Sequence, residues 1–403
     1  MSLLSFDDAL ANLLDAARPL SEIESLPLLE ADGRVLAETL VSGLDVPPLD
    51  NSAMDGYAVR CADVLAAGTR LPVTQRIPAG SVGHTLAPGS AARIFTGAPV
   101  PAGADAVVMQ ERCERDGDAV IVNHVPRDGE NIRRRGEDIR AGAEILAAGA
   151  RLTPQALGLA ASVGVARAPT FRRLRVALFF TGDELVMPGE PLPPGAIYNS
   201  NRFLLVGLLE RLGCAVTDLG IVPDTQEATR DALRRAAAVS DLIVTSGGVS
   251  VGEEDHVKPA VEAEGTLSMW KLAIKPGKPL AHGRVGEGPD AADFIGLPGN
   301  PVSSFVTFLM LVRPFILKRM GATDVLPKRI AMTSGFDWPR PDARREFLRA
   351  AIGADGRVDL FGNQGSGVLT STVWAGGIVD NPPGQAVRAG DLVRFIPYGE
   401  LLS

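Results

Sequence analysis

The run from Asp241 to His256 reads Asp-Leu-Ile-Val-Thr-Ser-Gly-Gly-Val-Ser-Val-Gly-Glu-Glu-Asp-His. An apolar segment of strand length ends at Thr245-Ser246, crosses Gly247 and Gly248, and delivers Glu253, Glu254 and Asp255 into a predicted helix. Paired glycines let backbone N–H groups approach a phosphate closely. Ser246 and Ser250 add hydroxyl donors, and the helix start adds partial positive charge. Carboxylates beside a phosphate would repel it unless a divalent cation bridges the two, as Mg²⁺ does when it shares one or two carboxylates with substrate phosphates. An ordinary βα turn with a solvated helix start has a similar composition, so this loop alone leaves both readings standing.

Open α/β sheets bind ligands at the carboxyl ends of their strands. Three more loops fall at such ends: Thr181-Gly182-Asp183-Glu184, Pro223-Asp224-Thr225 and Leu297-Pro298-Gly299-Asn300-Pro301. All are small, polar or Gly-rich, and several acids facing one edge weigh against mere solvated turns. A basic segment, Trp270 to Pro279, supplies Lys271, Lys275 and Lys278, compact point charges suited to phosphate or other oxyanions; a solvated strand end would read the same. There is no Gly-x-x-x-x-Gly-Lys-Ser/Thr, no Gly-x-Gly-x-x-Gly opening the first helix and no Gly-x-Ser-x-Gly, which argues against a Walker ATPase, a Rossmann dehydrogenase and a serine hydrolase.

The elements that must position these loops begin at Arg175, where alternating strands and helices start. Strands are expected at Val176–Phe180, Ala215–Leu219, the apolar run after Asp241, Met269–Ile274 and Asp293–Gly296. Helices are expected at 201–212, 225–238, 258–263 and 302–318, giving a doubly wound α/β domain. Before it, residues 57–140 read as short strands between Gly- and Pro-rich turns, a small all-β domain, and the chain from Pro327 onward reads as a second β domain. The N-terminal region is an extended scaffold. It opens with a helix from Phe6 to Leu14 capped by Ser5, and a second helix is expected to start around Ala31–Ala37. Asp55 lies in a run of small polar residues after Pro47-Pro48, and Asp138 follows an arginine-rich Gly-bounded loop; by composition both are surface loops.

A chain of 403 residues, 46% apolar and 22% charged, is long enough for two to four domains, and a net charge of −8 argues against bulk nucleic-acid binding. Any anion site must be locally basic. No uninterrupted apolar run reaches membrane-spanning length, and Asp7 and Asp8 stand where a signal peptide would need its apolar core, so a cytoplasmic protein without a membrane partner is expected. Cys61, Cys113 and Cys214 lie far apart, and the four histidines show no metal-ligand spacing.

Taken together, Asn51-Ser-Ala-Met-Asp-Gly-Tyr-Ala, Gly136-Glu-Asp, Thr181-Gly-Asp-Glu-Leu, Gly247-Gly-Val-Ser-Val-Gly, Lys275-Pro-Gly-Lys-Pro and Leu297-Pro-Gly-Asn-Pro-Val-Ser resemble, in order, the molybdopterin molybdenumtransferase (MoeA) family, which includes the C-terminal domain of gephyrin. The resemblance spans nearly the whole chain. It implies a cytoplasmic enzyme that inserts molybdate into adenylylated molybdopterin, with Mg²⁺-dependent release of AMP. The functional acids it implies are Asp55, Asp138, Glu184, Asp224 and Asp255, with Lys271, Lys275 and Lys278 on anionic groups. Thr181, Gly182, Ser246, Gly247, Gly248, Ser250, Pro298, Asn300 and Pro301 would contact substrate, and Ser303, Arg349 and Ser371 are candidates for molybdate. His256 departs from the tyrosine more usual after the acid. The family further implies an elongated homodimer, a molybdopterin adenylyltransferase acting upstream, and four domains: a discontinuous scaffold and dimerisation region (1–45 and 141–173), the small β domain (46–140), the α/β domain (174–326) and the C-terminal β domain (327–403). Two other readings stand beside it. An adenylyltransferase would be little more than the α/β domain, and a gephyrin-like scaffold would hold a partner peptide.

Overall fold

The computed structural model describes residues 3–248, 256–288 and 291–402. The loop residues Ser250, Glu253, Glu254 and Asp255 lie outside them.

The site is carried by a six-stranded sheet whose order is Ala215–Val222, Arg175–Thr181, Leu242–Ser246, Ala292–Leu297, Pro279–Val285 and Gly265–Lys271. The first four strands run parallel. Val176–Thr181, Leu242–Ser246 and Ala292–Leu297 are buried at every position, which explains their continuous apolar sequence: both faces are covered. Alternate residues serve opposite cores. Val176, Leu178 and Phe180 join one cluster, while Ala177 and Phe179 join the other. Helices Ser200–Arg211 and Gln226–Ala237 start on side-chain caps, Asn199 accepting from Arg202 N and Thr225 from Ala228 N.

The structure differs from expectation at two places. Pro279–Val285, not among the expected strands, pairs antiparallel with Ala292–Leu297 and with Gly265–Lys271, so the sheet is mixed at one edge. That strand was hidden by its opening proline and by His282, Gly283 and Arg284, which break the apolar pattern. The first position of a strand admits a proline even inside a sheet. Nor does a helix form at Ala31–Ala37. Gly33 sits at φ +72°, the chain turns there, and Val35 and Leu36 instead bridge to Arg151 and Thr170.

The helix Phe6–Ala16 forms as its sequence indicates, with Ser5 Oγ accepting from Asp8 N at 3.1 Å. Its buried face joins the α/β core, and Phe6 meets Phe347 edge-on at 5.2 Å. Strand Ile23–Pro27 pairs with Arg167–Phe171, bringing the N-terminal segment beside the chain that leaves the small β unit. That unit is a sheet of order 106–109, 56–59, 91–94, 69–77, 119–122 and 113–116.

The C-terminal sheet contains Ile330–Thr333, Arg345–Ile352, Gly377–Asn381 and Leu392–Pro397. Its edge is completed from outside: the short strand Ile274–Lys275, in the lysine-rich segment of the α/β unit, pairs parallel with Arg345 and Glu346. The helical stretch Pro301–Arg319 is long and apolar enough to cross a membrane, with mean hydropathy 1.4, yet 89% of it is buried inside the protein, as a core helix would be.

Candidate active site

A cavity of about 910 Å³ opens at the carboxyl edge of the parallel strands, between them and the C-terminal sheet. Its lining draws on the ends of three adjacent strands: Thr181 and Glu184 after the first, Ser246 and Gly247 after the second, and Pro298, Gly299, Asn300, Pro301 and Ser303 after the third. The turn carrying Lys275 and Lys278 forms another wall, and Gln364, Gly365, Ser366 and Gly367 close it from the C-terminal unit.

The paired glycines have a steric reason. Gly247 lies at φ +97° and Gly248 at φ +63°; a Cβ on Gly248 would stand 2.4 Å from Val257 Cγ2 and 3.0 Å from Thr181 Oγ1. The loop therefore folds tightly against the end of the neighbouring strand. Ser246 holds the next loop rather than offering a free hydroxyl, since its Oγ donates to Pro298 O at 2.9 Å and meets Ser304 Oγ at 3.1 Å. Asn201 completes the brace, its Nδ2 donating to Ser246 Oγ at 2.8 Å and to Gly299 O at 2.7 Å. Across the cavity Asn300 Nδ2 donates to Ser366 Oγ at 3.2 Å, and Val302 N to Ser366 O at 3.0 Å.

Against this bracing, several polar atoms have no partner among the described residues. Thr181 is 3% exposed and Asn199 2% exposed, yet Thr181 Oγ1 and Asn199 Nδ2, as well as Asn201 Oδ1, make no hydrogen bond. All three residues line the cavity. Buried polar groups are ordinarily satisfied, so a cluster of unsatisfied ones at one cavity is the signature of a site shaped for a polar ligand.

The cations differ in kind. Lys278 is exposed and has no ion pair among the described residues. Lys275 is held by two carboxylates, Glu346 at 3.3 Å and Asp342 at 3.6 Å. Arg349 does not line the cavity but is fully buried behind its wall, where its guanidinium donates only to neutral groups: Ser371 Oγ at 3.1 Å, Phe347 O at 3.2 Å and Gly365 O at 3.3 Å. Burial pushes its pKa down to about 10. Ser371 is equally buried and its hydroxyl donates a hydrogen bond to Val368 O. The two thus form a cationic backing to the Gly365 loop.

Other expected residues stand away from the cavity. Gly182 turns the chain at φ +144° between Thr181 and Glu184, while Lys271 and Asp224 do not line it. Asp55 and Asp138 belong to the small β unit and its exit segment, and neither reaches the cavity of its own chain. Asp55 accepts from Thr96 N and Thr96 Oγ1, both at 2.8 Å, and the backbone bond above all holds its carboxyl below the usual range. Asp138 is exposed beside Glu137 and Arg140. His256 stands at the start of helix Val257–Glu264 without capping it. The described residues contain no group of three or more potential metal ligands.

Sequence reasoning missed Asn199, Asn201, Ser304, Arg344 and the 364–367 loop. The signals were present in Tyr-Asn-Ser-Asn (198–201) after a Pro-Pro-Gly turn and in Gly-Asn-Gln-Gly-Ser-Gly (362–367), both dense in turn and amide residues.

Residues 4–164 match the MoeA N-terminal region (domain I and II), residues 177–318 a probable molybdopterin binding domain, and residues 331–398 the MoeA C-terminal region (domain IV). The molybdopterin molybdenumtransferase of Haemophilus influenzae is 41% identical over 99% of this chain and 100% of its own, and molybdopterin molybdenumtransferase 2 of Mycobacterium tuberculosis is 40% identical over 92% and 93%. The crystal structure of the molybdopterin biosynthesis moeA protein from Pyrococcus horikoshii superposes with a TM-score of 0.85 at 30% identity, covering 98% of this chain and 100% of that one. The chain belongs to the molybdopterin molybdenumtransferase family.

Proposed function

We propose that this transferase of molybdenum cofactor biosynthesis binds adenylylated molybdopterin in the carboxyl-edge cavity, accepts molybdate there, and releases AMP as the phosphate link is cleaved. The observation that carries this reading is the pairing of unsatisfied buried donors, Thr181 Oγ1 and Asn199 Nδ2, with cations on the opposite walls. The tight loop at Gly247, which lines the cavity without a Cβ, lets a phosphate approach closely, and Lys278 supplies a positive charge with no ion pair among the described residues. Arg349 and Ser371, with Ser303 at the cavity wall, favour a small oxyanion beside the Gly365 loop, because a guanidinium with only neutral partners seeks an anion.

The donor chemistry suits Mg²⁺, which accepts one or two carboxylates together with phosphate oxygens. Glu184 lines the cavity and would hold the ion, with Asp224 and Asp255 as further ligands; the metal would offset phosphate charge as the link breaks. The remaining work falls to the chain's own groups: the glycine loop positions the phosphates, Thr181 and Asn199 orient the polar ends of the substrate, and the 364–367 loop walls the reacting centre, where a water attacks one phosphorus of the link and the bridging oxygen leaves with the other phosphate. The decisive assay supplies adenylylated molybdopterin and molybdate and follows AMP release and active cofactor. No AMP release by folded protein would overturn the reading.

We also place Asp55 and Asp138 in the site of a second copy, in a cytoplasmic homodimer fed by an adenylyltransferase. Its support is that neither acid reaches its own chain's cavity. Mixed Asp55→Ala and Asp255→Ala subunits should then regain about a quarter of wild-type sites, since a heterodimer carries one site with both lesions and one with neither. No recovery after verified subunit exchange would put all the acids in one chain.

A further inference from the structure

Lys275 reaches the cavity from a strand that the C-terminal unit has captured. Ile274 and Lys275 pair in parallel register with Arg345 and Glu346, so the lysine's backbone is fixed by the other unit's sheet. Its side chain is fixed by the same strand: Nζ stands 3.3 Å from Oε1 of Glu346, a residue with no exposed surface. The second oxygen of that carboxylate is already occupied, because Oε2 accepts from Trp338 Nε1 at 2.8 Å and from Asn381 Nδ2 at 3.4 Å. Two neutral donors thus set the plane of the carboxylate and leave one oxygen aimed at Lys275. The neighbouring acid is differently engaged. Asp342 is gripped by Arg344, through Nε at 2.9 Å and Nη2 at 2.8 Å, and reaches Lys275 only at 3.6 Å.

A carboxylate without solvent contact is expensive to keep ionised unless it is paired, and among the described residues Lys275 is its cationic partner. The pair is therefore not a surface bridge that forms and breaks freely. A lysine stem has four rotatable carbons, and an ammonium left to itself at a cavity wall would sample many positions. From these contacts we infer that Glu346 is a positioning residue: it holds the Lys275 ammonium at the cavity wall, so that the anionic substrate meets a cation already in place. The inference rests on the proposed substrate and concerns how this chain presents one of its charges.

The test measures calorimetric affinity for adenylylated molybdopterin without molybdate. Glu346→Gln weakens binding about tenfold in the wild-type background but adds no further loss to Lys275→Met, since the residue acts through the lysine. Glu346→Asp, which keeps the charge one methylene short, recovers part of the affinity. Equal losses in the two backgrounds, or no loss in the first, overturn the inference and leave Glu346 a scaffold residue. Should Glu346→Gln fail to fold, Trp338→Phe removes the donor that orients the carboxylate. It is expected to weaken binding two- to threefold with Lys275 present and not at all with Lys275→Met, and any other result counts against the inference. Wild-type protein that does not bind this ligand would sink the proposed substrate instead, which keeps the two failures apart.

Discussion

The central sheet has two open edges with cavities of similar size, about 910 Å³ at the carboxyl ends of its strands and about 800 Å³ at the amino ends. Volume does not distinguish them. The amino-edge cleft carries five arginines, Arg18, Arg172, Arg175, Arg284 and Arg319, against Lys275, Lys278 and Arg344 at the carboxyl edge, but three of the five are paired with carboxylates of the same cleft. Arg172 grips Asp241 at 2.6 and 2.9 Å, Arg175 reaches the same carboxylate at 2.8 Å, and Arg319 meets Asp293 at 3.0 Å. His282, also there, is pressed between Trp270 and Phe315, and burial pushes its pKa down to about 4, so it is a neutral ring in a stack. At the carboxyl edge there are fewer ion pairs, and the buried polar atoms without a hydrogen bond among the described residues belong to the neutral side chains Thr181, Asn199 and Asn201; at the amino edge His282 Nε2 is likewise without one. The edges therefore differ in how far their charge is paired among themselves, not in whether every buried polar group is satisfied.

The largest expected effect breaks the carboxyl edge. Replacing Arg349 by methionine should lower kcat/KM by at least about a hundredfold, the usual scale for removing a preorganised charge from a reacting anion. Thermal stability should also fall, by about 1–3 kcal/mol, because methionine removes three hydrogen bonds to buried acceptors. A variant with near-normal turnover would reduce Arg349 to a strut for the Gly365 loop.

Asp241→Asn is the matching lesion at the amino edge, and its effect should fall on stability. Loss of the shared carboxylate leaves Arg172 and Arg175 facing a neutral amide, at a cost of about 2–4 kcal/mol by denaturant unfolding, with turnover per folded molecule unchanged. The pH dependence has a definite sign. Although burial opposes it, the side-chain bonds from Arg172 and Arg175 hold the Asp241 carboxyl far below its ordinary value of 3.8. A depressed pKa contributes stability that is fully present above the unfolded value and is lost as pH falls from there toward the folded one. Wild type and variant should therefore differ most above about pH 5 and converge in acid; a constant gap would argue against the charge pair.

These contrasts also explain what the sequence made legible. The buried parallel strands declared themselves because Val176–Phe180 and Leu242–Val244 are apolar on both faces, and the glycines and lysines of the site sit beside them. Gly377–Asn381 did not, being short and opened by Ala-Gly-Gly, nor did Pro279–Val285. Arg349 drew notice only through family resemblance, since a lone arginine in a strand carries no sign of burial until its sheet is built. Asn199, Asn201 and the 364–367 loop depend on separate units meeting across the cavity, a fact no local pattern encodes.

A subtler change separates function from stability at one residue. Thr181→Val keeps the shape and removes a buried hydroxyl that has no partner among the described residues. An unsatisfied buried donor costs about 1–3 kcal/mol, so valine should raise the melting temperature while weakening substrate binding about tenfold. Lower stability would mean that Thr181 Oγ1 is satisfied in solution and that the contrast between the two edges is overstated.

The smallest effect is expected at Lys278, the exposed cation of the cavity. An ammonium in water binds an anion weakly and is screened by salt, with a Debye length of about 8 Å at physiological ionic strength. Lys278→Ala should therefore raise KM for the anionic substrate only about threefold at low salt, and less as salt increases, with kcat nearly unchanged. Lys275 differs in that its side chain, although 40% exposed, is anchored by the fully buried carboxylate of Glu346, so salt should screen its contribution less. Measuring KM against ionic strength for both alanine variants tests this. If the two lysines respond to salt alike, the buried anchor gives Lys275 no advantage over a freely solvated ammonium.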